Sequence, residues 1–241
     1  MTASPPGAFA AIYKLLLRSL ATRGRLAGIG SLGVLTMVAA VIVGHANLVD
    51  PLRSGTRFID GGLTIFVPVG TLVFASAALG DLVDDGTLVY LWLRPLPPWV
   101  PVLAAFAAAV TICVPLIGVP MVVSAVLVDA SPELIVGTAE SVAVAIVAYV
   151  ALFTMWGVRI RRALPWGLAY ILLWEGFVAS AGQTASKVAL RAYTRSVLSE
   201  ATGVGLRLAT FTIATGVAVP LVVGVGCLAY AVRVLRRTDI A

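Results

Sequence analysis

Asp81, Asp84 and Asp85 stand at i, i+3 and i+4, so any helix that carries them shows all three on one face. Acids near a helix start are favoured by its dipole. Leu88, Leu91 and Trp92 continue the same spacing as an apolar patch. Pro95, Pro97 and Pro98 then stop the helix. The pattern predicts a short helix with an acidic and an aromatic face, a shape suited to docking on a soluble partner. Read more plainly, it is a solvated connection between two apolar stretches. No histidine or further carboxylate lies near the three aspartates, which argues against a metal site.

Two other acids sit inside apolar runs. Glu140 lies near the start of one and Glu175 in the middle of another, directly after Trp174. A carboxylate in hydrocarbon is expensive and marks a candidate functional site. Glu175 suits a substrate contact, a proton relay or a gating hydrogen bond. It equally suits a protonated or Arg-paired structural role. Glu140 is close enough to the outer boundary to be a simple interface residue. Lys187, Arg191 and Arg195 recur every four residues beside an apolar stripe of Leu190, Tyr193, Val197 and Val204. That pattern predicts an interfacial helix on the outer side.

Other chemistries lack their residues. His45 is the sole histidine and falls at the end of an apolar run, as an interface residue would. Cys113 and Cys227 both lie within apolar runs and read as small core residues rather than a disulfide pair. No nucleophile–base pair is visible. A phosphate-binding loop needs Gly-x-x-x-x-Gly-Lys-Ser/Thr, and neither Lys14 nor Lys187 follows such a run. The chain is therefore not expected to be an enzyme or to bind ATP or a metal itself. Energy for any transport must come from a partner or an ion gradient.

The elements that position these residues follow from composition. The chain has 241 residues, 60% hydrophobic and 12% charged, with mean hydropathy +1.04. Soluble domains carry roughly 25% charged residues. Half that share leaves too little polar surface for a globule in water, so lipid is the expected solvent. A spanning helix needs about 20 apolar residues. Six stretches qualify, at about 26–44, 61–80, 99–128, 134–158, 164–182 and 208–232. One transmembrane domain over 1–241 is expected. Met1 to Pro6 lack a basic segment ahead of an apolar one, so no signal peptide is expected. Pro115, Pro120, Pro220, Gly224 and Gly226 fall inside the third and sixth stretches and would kink them or allow close packing. Before the first span, Phe9, Tyr13, Leu16 and Leu20 recur at helical spacing opposite Lys14, Arg18, Thr22 and Arg25. Residues 8–22 thus read as an amphipathic helix in the headgroup plane, or as an extension of the first span bent at Gly24.

The formal net charge is +6. In a soluble protein this would raise nucleic-acid binding, but here the basic residues sit between apolar blocks and follow the bias of cytoplasmic loops. With the N-terminus inside, eleven of the 17 Lys and Arg fall in cytoplasmic segments. The cluster Arg159, Arg161 and Arg162 is the strongest pointer. Both termini are expected in the cytoplasm, and no nucleic-acid partner is expected. The Ala, Val, Gly and Arg bias with little Lys suits a GC-rich bacterial genome, hence an inner (cytoplasmic) membrane.

The order of these features resembles the membrane subunit of an ABC-2 type (type V exporter-like) ABC transporter, over nearly the whole chain. The likeness rests on the basic amphipathic helix before span one and on Asp85-Gly86-Thr87-Leu88 followed by Arg94-Pro95 after span two. It also rests on Leu173-Trp174-Glu175 in span five and on the tail Arg236-Arg237-Thr238-Asp239-Ile240. Two departures stand out. Asp85 occupies a place where the family often has Glu, and Leu96-Pro97-Pro98-Trp99 replaces the usual basic residue after the proline. The resemblance implies an all-α fold: six spans, an N-terminal elbow helix, a cytoplasmic coupling helix after span two, and an outer gate helix between spans five and six. It implies two permease subunits, often a homodimer, over two soluble ATPase subunits that bind ATP and Mg. Asp84, Asp85, Gly86, Thr87 and Leu88 would be the coupling residues. Glu175, Trp174 and Glu140 are candidates for the substrate pathway or gate. The alternative is an ion-coupled secondary transporter using Glu175, and the absence of visible inverted repeats argues against it.

Overall fold

The computed structural model describes residues 5–46, 49–86, 97–177 and 187–237. Among these the chain is all-helical, with no strand. The α-helices are α1 (Pro5–Leu20), α2 (Arg23–Gly44), α3 (Pro51–Thr64), α4 (Phe66–Asp84), α5 (Trp99–Cys113), α6 (Val119–Val128), α7 (Pro132–Arg159), α8 (Ala163–Ala169), α9 (Leu190–Thr202) and α10 (Ile213–Arg237). A π-helical segment, Val114–Gly118, joins α5 to α6, and a second, Tyr170–Phe177, continues α8. Among the described residues, five helical stretches are long and apolar enough to cross a membrane: α2, α3 with α4, α5 through α6, α7, and α10. This is the build of a multi-pass membrane protein.

Proline explains the irregularities. Pro68 has no amide to give to the Thr64 carbonyl and its ring crowds that group. The helix breaks there, at Ile65, with φ −121 and ψ −56. Pro115 lies within the π segment and Pro120 just after it, each without an amide to give to the preceding turn. Asp50 starts α3 by accepting the Arg53 amide at 3.0 Å, with Pro51 in the first turn.

Helix α4 lies at the centre, buried from Phe66 to Gly80 along most of its length. It meets α7 backbone to backbone: a Cβ on Gly80 would sit 3.4 Å from the Gly157 Cα, and one on Gly157 would collide with the Ser76 carbonyl. Small residues drive such approach in lipid, where no hydrophobic force draws helices together. By contrast, α2 and α10 leave most of their apolar surface uncovered, Leu35, Ile42, Val222 and Val225 among it. These residues suit contact with lipid tails.

The close contacts also sort the helix ends. At one end, Arg25 pairs with Asp81 at 2.8 Å, and Asp84 meets the Arg162 amide. At the other, a Cβ on Gly44 would strike the Leu127 carbonyl, and one on Gly55 would sit 2.7 Å from Leu134. The chain runs back and forth between these two ends, and α2 starts and α10 finishes at the Asp84 end.

Several expectations change. The second stretch begins at Pro51, not Gly61, because 51–64 is already helical. The fifth, expected over 164–182, is a seven-residue α-helix followed by a π segment as far as Phe177. Its remainder lies outside the described residues. The sixth starts at Ile213 rather than Leu208, whose φ of 73 belongs to a non-helical turn. The buried face of α1 is Ala8, Ile12, Leu16 and Leu20, with Phe9 and Tyr13 at its flank. Tyr13 Oη lies 3.0 Å from Thr111 Oγ1 on α5, and the turn after α1 falls at Ala21 and Thr22 rather than Gly24.

The α4–α7 contact predicts a contrast between glycines. Gly157→Val should lower the melting temperature of the purified chain sharply, since overpacking costs about 1–3 kcal/mol even where side chains can yield, and here the neighbour is backbone. Gly61→Ala, with nothing within 4 Å of the new Cβ, should leave it unchanged or slightly raised. Equal melting of both variants contradicts the contact.

Candidate functional site

Glu175 carries the most constrained chemistry in the described residues. Its place on a π segment matters, because i→i+5 closure sets residue 175 over residue 170. Tyr170 accordingly donates its hydroxyl to Glu175 Oε1 at 3.0 Å. Tyr149, fully buried on α7, donates to Oε2. Arg191, at the start of α9, lies close enough for its guanidinium charge to act on the same carboxylate. Glu175 is 1% exposed and Arg191 4%. Two hydroxyl donors and a nearby cation surround one carboxylate, which is what an acid needs to persist away from water.

The depth follows from the helix rise. Tyr149 stands ten residues before Arg159, the end of α7. At about 1.5 Å per residue that is roughly 15 Å, about half of a hydrocarbon core some 30 Å thick. Glu175 therefore sits near mid-depth of the bundle. An aromatic layer separates it from the Asp84 end. Tyr149 stacks on Phe153 at 5.9 Å, Phe153 meets Trp156 edge-on at 6.1 Å, and Trp156 meets Tyr170 at 5.3 Å.

Helix α9 was expected at the outer surface with its basic stripe in contact with water or headgroups. It is instead buried on most sides, including Leu190, Arg191, Ala192, Tyr193, Thr194, Ser196, Val197 and Leu198. Its tip at Leu190 and Arg191 reaches the depth of Tyr149, while Ala201 and Thr202 lie against Gly137, near the start of α7. The physical reason is that the stripe has partners inside. Arg195 forms a two-pronged pair with Asp60 of α3, Nε to Oδ1 and Nη2 to Oδ2 at 2.6 Å, and Nη2 also donates to Thr64 Oγ1 at 3.1 Å. Tyr193 stacks on Phe211 at 4.4 Å, and Ser196 accepts the Phe211 amide. Lys187 alone of the three basic residues is exposed.

Other candidates are scattered. Trp174 is half-buried beside Glu175 and outside the aromatic layer. Glu140 is on the exposed side of α7, nine residues from Tyr149 and so about 14 Å along the helix. The structure does not bring it to Glu175. The acidic turn also differs from expectation. Asp81 and Asp84 end α4 rather than begin a new helix, Asp85 caps it, and Gly86 turns the chain with φ 67. Thr87 and Leu88 lie outside the described residues. His45 bonds to its own helix, Nδ1 to the Val41 carbonyl at 2.8 Å. Cys113 and Cys227 are free thiols, the first buried.

Sequence reasoning found Glu175 and Arg191 but missed Asp60, Tyr149 and Tyr170. A signal existed for Tyr170, five residues before a mid-span acid, and for Asp60 with Thr64, one helical turn apart. No family model, curated protein or solved structure matches this chain.

The cluster predicts a graded loss of stability. Glu175→Gln keeps the shape and one acceptor oxygen, whereas Glu175→Ala leaves the Tyr149 and Tyr170 hydroxyls without this acceptor. Hydrogen bonds inside membranes are worth about 0.6 kcal/mol on average and up to about 1.7. Losing both should lower the melting temperature of the Ala variant clearly more than that of the Gln variant. Matching thermal melts for both variants and wild type contradict the geometry. A double-mutant cycle on Asp60→Asn and Arg195→Gln should likewise show non-additive losses; strict additivity rules the pair out as an energetic contact.

Proposed function

We propose that the chain is the permease subunit of an ATP-binding cassette exporter of the ABC-2 type. In this reading α1 is the elbow helix and α9 the outer helix. The segment that opens at Ala163 belongs to the fifth of six spans. The Asp84 end faces the cytoplasm, and two copies pair as a homodimer in a bacterial inner membrane. Two soluble ATPase subunits dock beneath them and bind the ATP and Mg; this chain contributes no catalytic group.

One observation carries the reading. The acidic turn at Asp81–Asp85 lies beside the basic turn Arg159–Arg162, through the contact of Asp84 with the Arg162 amide. The basic ends of α2 and α10 belong to the same end of the bundle. Basic residues resist translocation, so one densely charged end favours the cytoplasmic assignment. That end offers an acidic knob where a soluble subunit would bind. Residues 84–88 are then the coupling residues. Glu175 and Trp174 belong to the pathway or gate, and Glu140, on an exposed face of α7, is further from it.

The ion-coupled alternative rests on Glu175 alone. Two tyrosine hydroxyls hold that carboxylate, with the Arg191 charge close by. This commitment suits a gate or latch better than a site that loads and unloads an ion each cycle. An apolar surround suits an amphiphilic substrate.

The chain purified from its native membrane should retain a stoichiometric ATPase subunit with a phosphate-binding loop. Asp85→Lys should reduce that retention at least tenfold. A chain that carries no such subunit, and that moves protons or sodium in liposomes under an ion gradient alone, would overturn the proposal.

A further inference from the structure

Two adjacent aspartates occupy different physical situations, and the difference divides their labour. A helix C-terminus carries partial negative charge, so carboxylates there are disfavoured. Helix α4 nonetheless ends on Asp81, Asp84 and Asp85. Asp81 is offset by Arg25 at 2.8 Å. Asp84 turns both oxygens to the Arg162 amide, at 3.4 and 3.3 Å. That amide opens α8, where the sign of the helix dipole favours an anion. Arg162 is held in the left-handed region at φ 54, which a non-glycine residue adopts at a cost. Asp85 is exposed, and its side chain has no partner among the described residues. Gly86 then turns the backbone with φ 67.

The Arg162 end is mechanically continuous with Glu175. Helix α8 lies on α4, where a Cβ at Gly167 would collide with Leu72. It passes without a break into the π segment that carries Tyr170 and Glu175. The last turn of α4 is itself fixed to α7 by the Gly80–Gly157 contact. A displacement applied just beyond Asp85 thus has a continuous, packed route to the buried carboxylate, and its first joint is the Asp84–Arg162 contact.

We propose that Asp84 is a positioning residue that ties the partner-facing turn to the segment 162–177, and that Asp85 is the acid left to meet the partner. The link stands on contacts within this chain. The identity of the load rests on the permease reading above.

Hydrogen exchange on the full chain in nanodiscs, without any partner, tests the link. Asp84→Ala should speed amide exchange at least tenfold at Arg162 and through 163–177, while α7 from 140 to 155 stays protected. Asp84→Asn, which keeps an acceptor oxygen, should restore slow exchange, and Asp85→Ala should match wild type. Exchange in 170–177 that ignores Asp84→Ala, or responds equally to Asp85→Ala, overturns the division. Loss of α7 protection in Asp84→Ala without rescue by Asp84→Asn overturns it too, because the residue would then serve general folding. A wild-type chain that carries no ATPase subunit would sink the permease reading and leave these exchange results intact.

Discussion

Hydrocarbon offers no hydrogen bonds, so each polar group in this bundle must find its partner within the chain. Most of the architecture answers to that constraint. Hydroxyls fold back on the preceding turn: Thr56 on the Leu52 carbonyl, Thr71 on Val67, Ser76 on Leu72. Charged groups meet across elements, Arg195 with Asp60 and Glu175 with two tyrosines and the start of α9. The buried hydroxyls of Ser124, Thr138 and Thr154 have no hydrogen-bond partner among the described residues. They stand apart from the rule, and no physical account of them follows from their surroundings.

The same constraint explains the placement of α9. A helix bearing Arg191 and Arg195 would ordinarily lie at the interface with its charges in water. Here Asp60 and Glu175 lie inside the bundle, and the helix follows them inward. Its tip and the π segment that ends at Phe177 meet at mid-depth. Such irregular backbone at membrane depth is tolerated where protein buries it. The aromatic layer of Tyr149, Phe153, Trp156 and Tyr170 packs against this junction on the Asp84 side.

What the sequence made legible was what hydropathy and local spacing control. Long apolar runs announced the helices, and the prolines at 115 and 120 announced an irregular third stretch. A mid-run acid announced Glu175. What stayed hidden depends on tertiary partners. The stripe at 187, 191 and 195 has the same spacing whether it faces water or aspartate. The aspartates at 81, 84 and 85 share a face whether they open a helix or close one, and only the continuation of α4 from Phe66 decides. Tyr149 looked like any aromatic in an apolar helix until Glu175 was placed against it. The break at Ile65 was readable from Pro68, but the amphipathic run before it, with Arg53, Arg57 and Asp60, resembled a polar loop.

In the proposed permease the acidic turn and the basic turn share one side of the membrane, the side that an ATP-hydrolysing partner would occupy. Single cysteines placed by Asp85→Cys and Arg161→Cys, in a chain with Cys113 and Cys227 replaced by alanine, can be labelled with a membrane-impermeant maleimide. Both should react in inside-out vesicles and neither in intact spheroplasts. Reaction of the two from opposite sides would contradict the fold, and reaction of both from outside would contradict the function proposed for it.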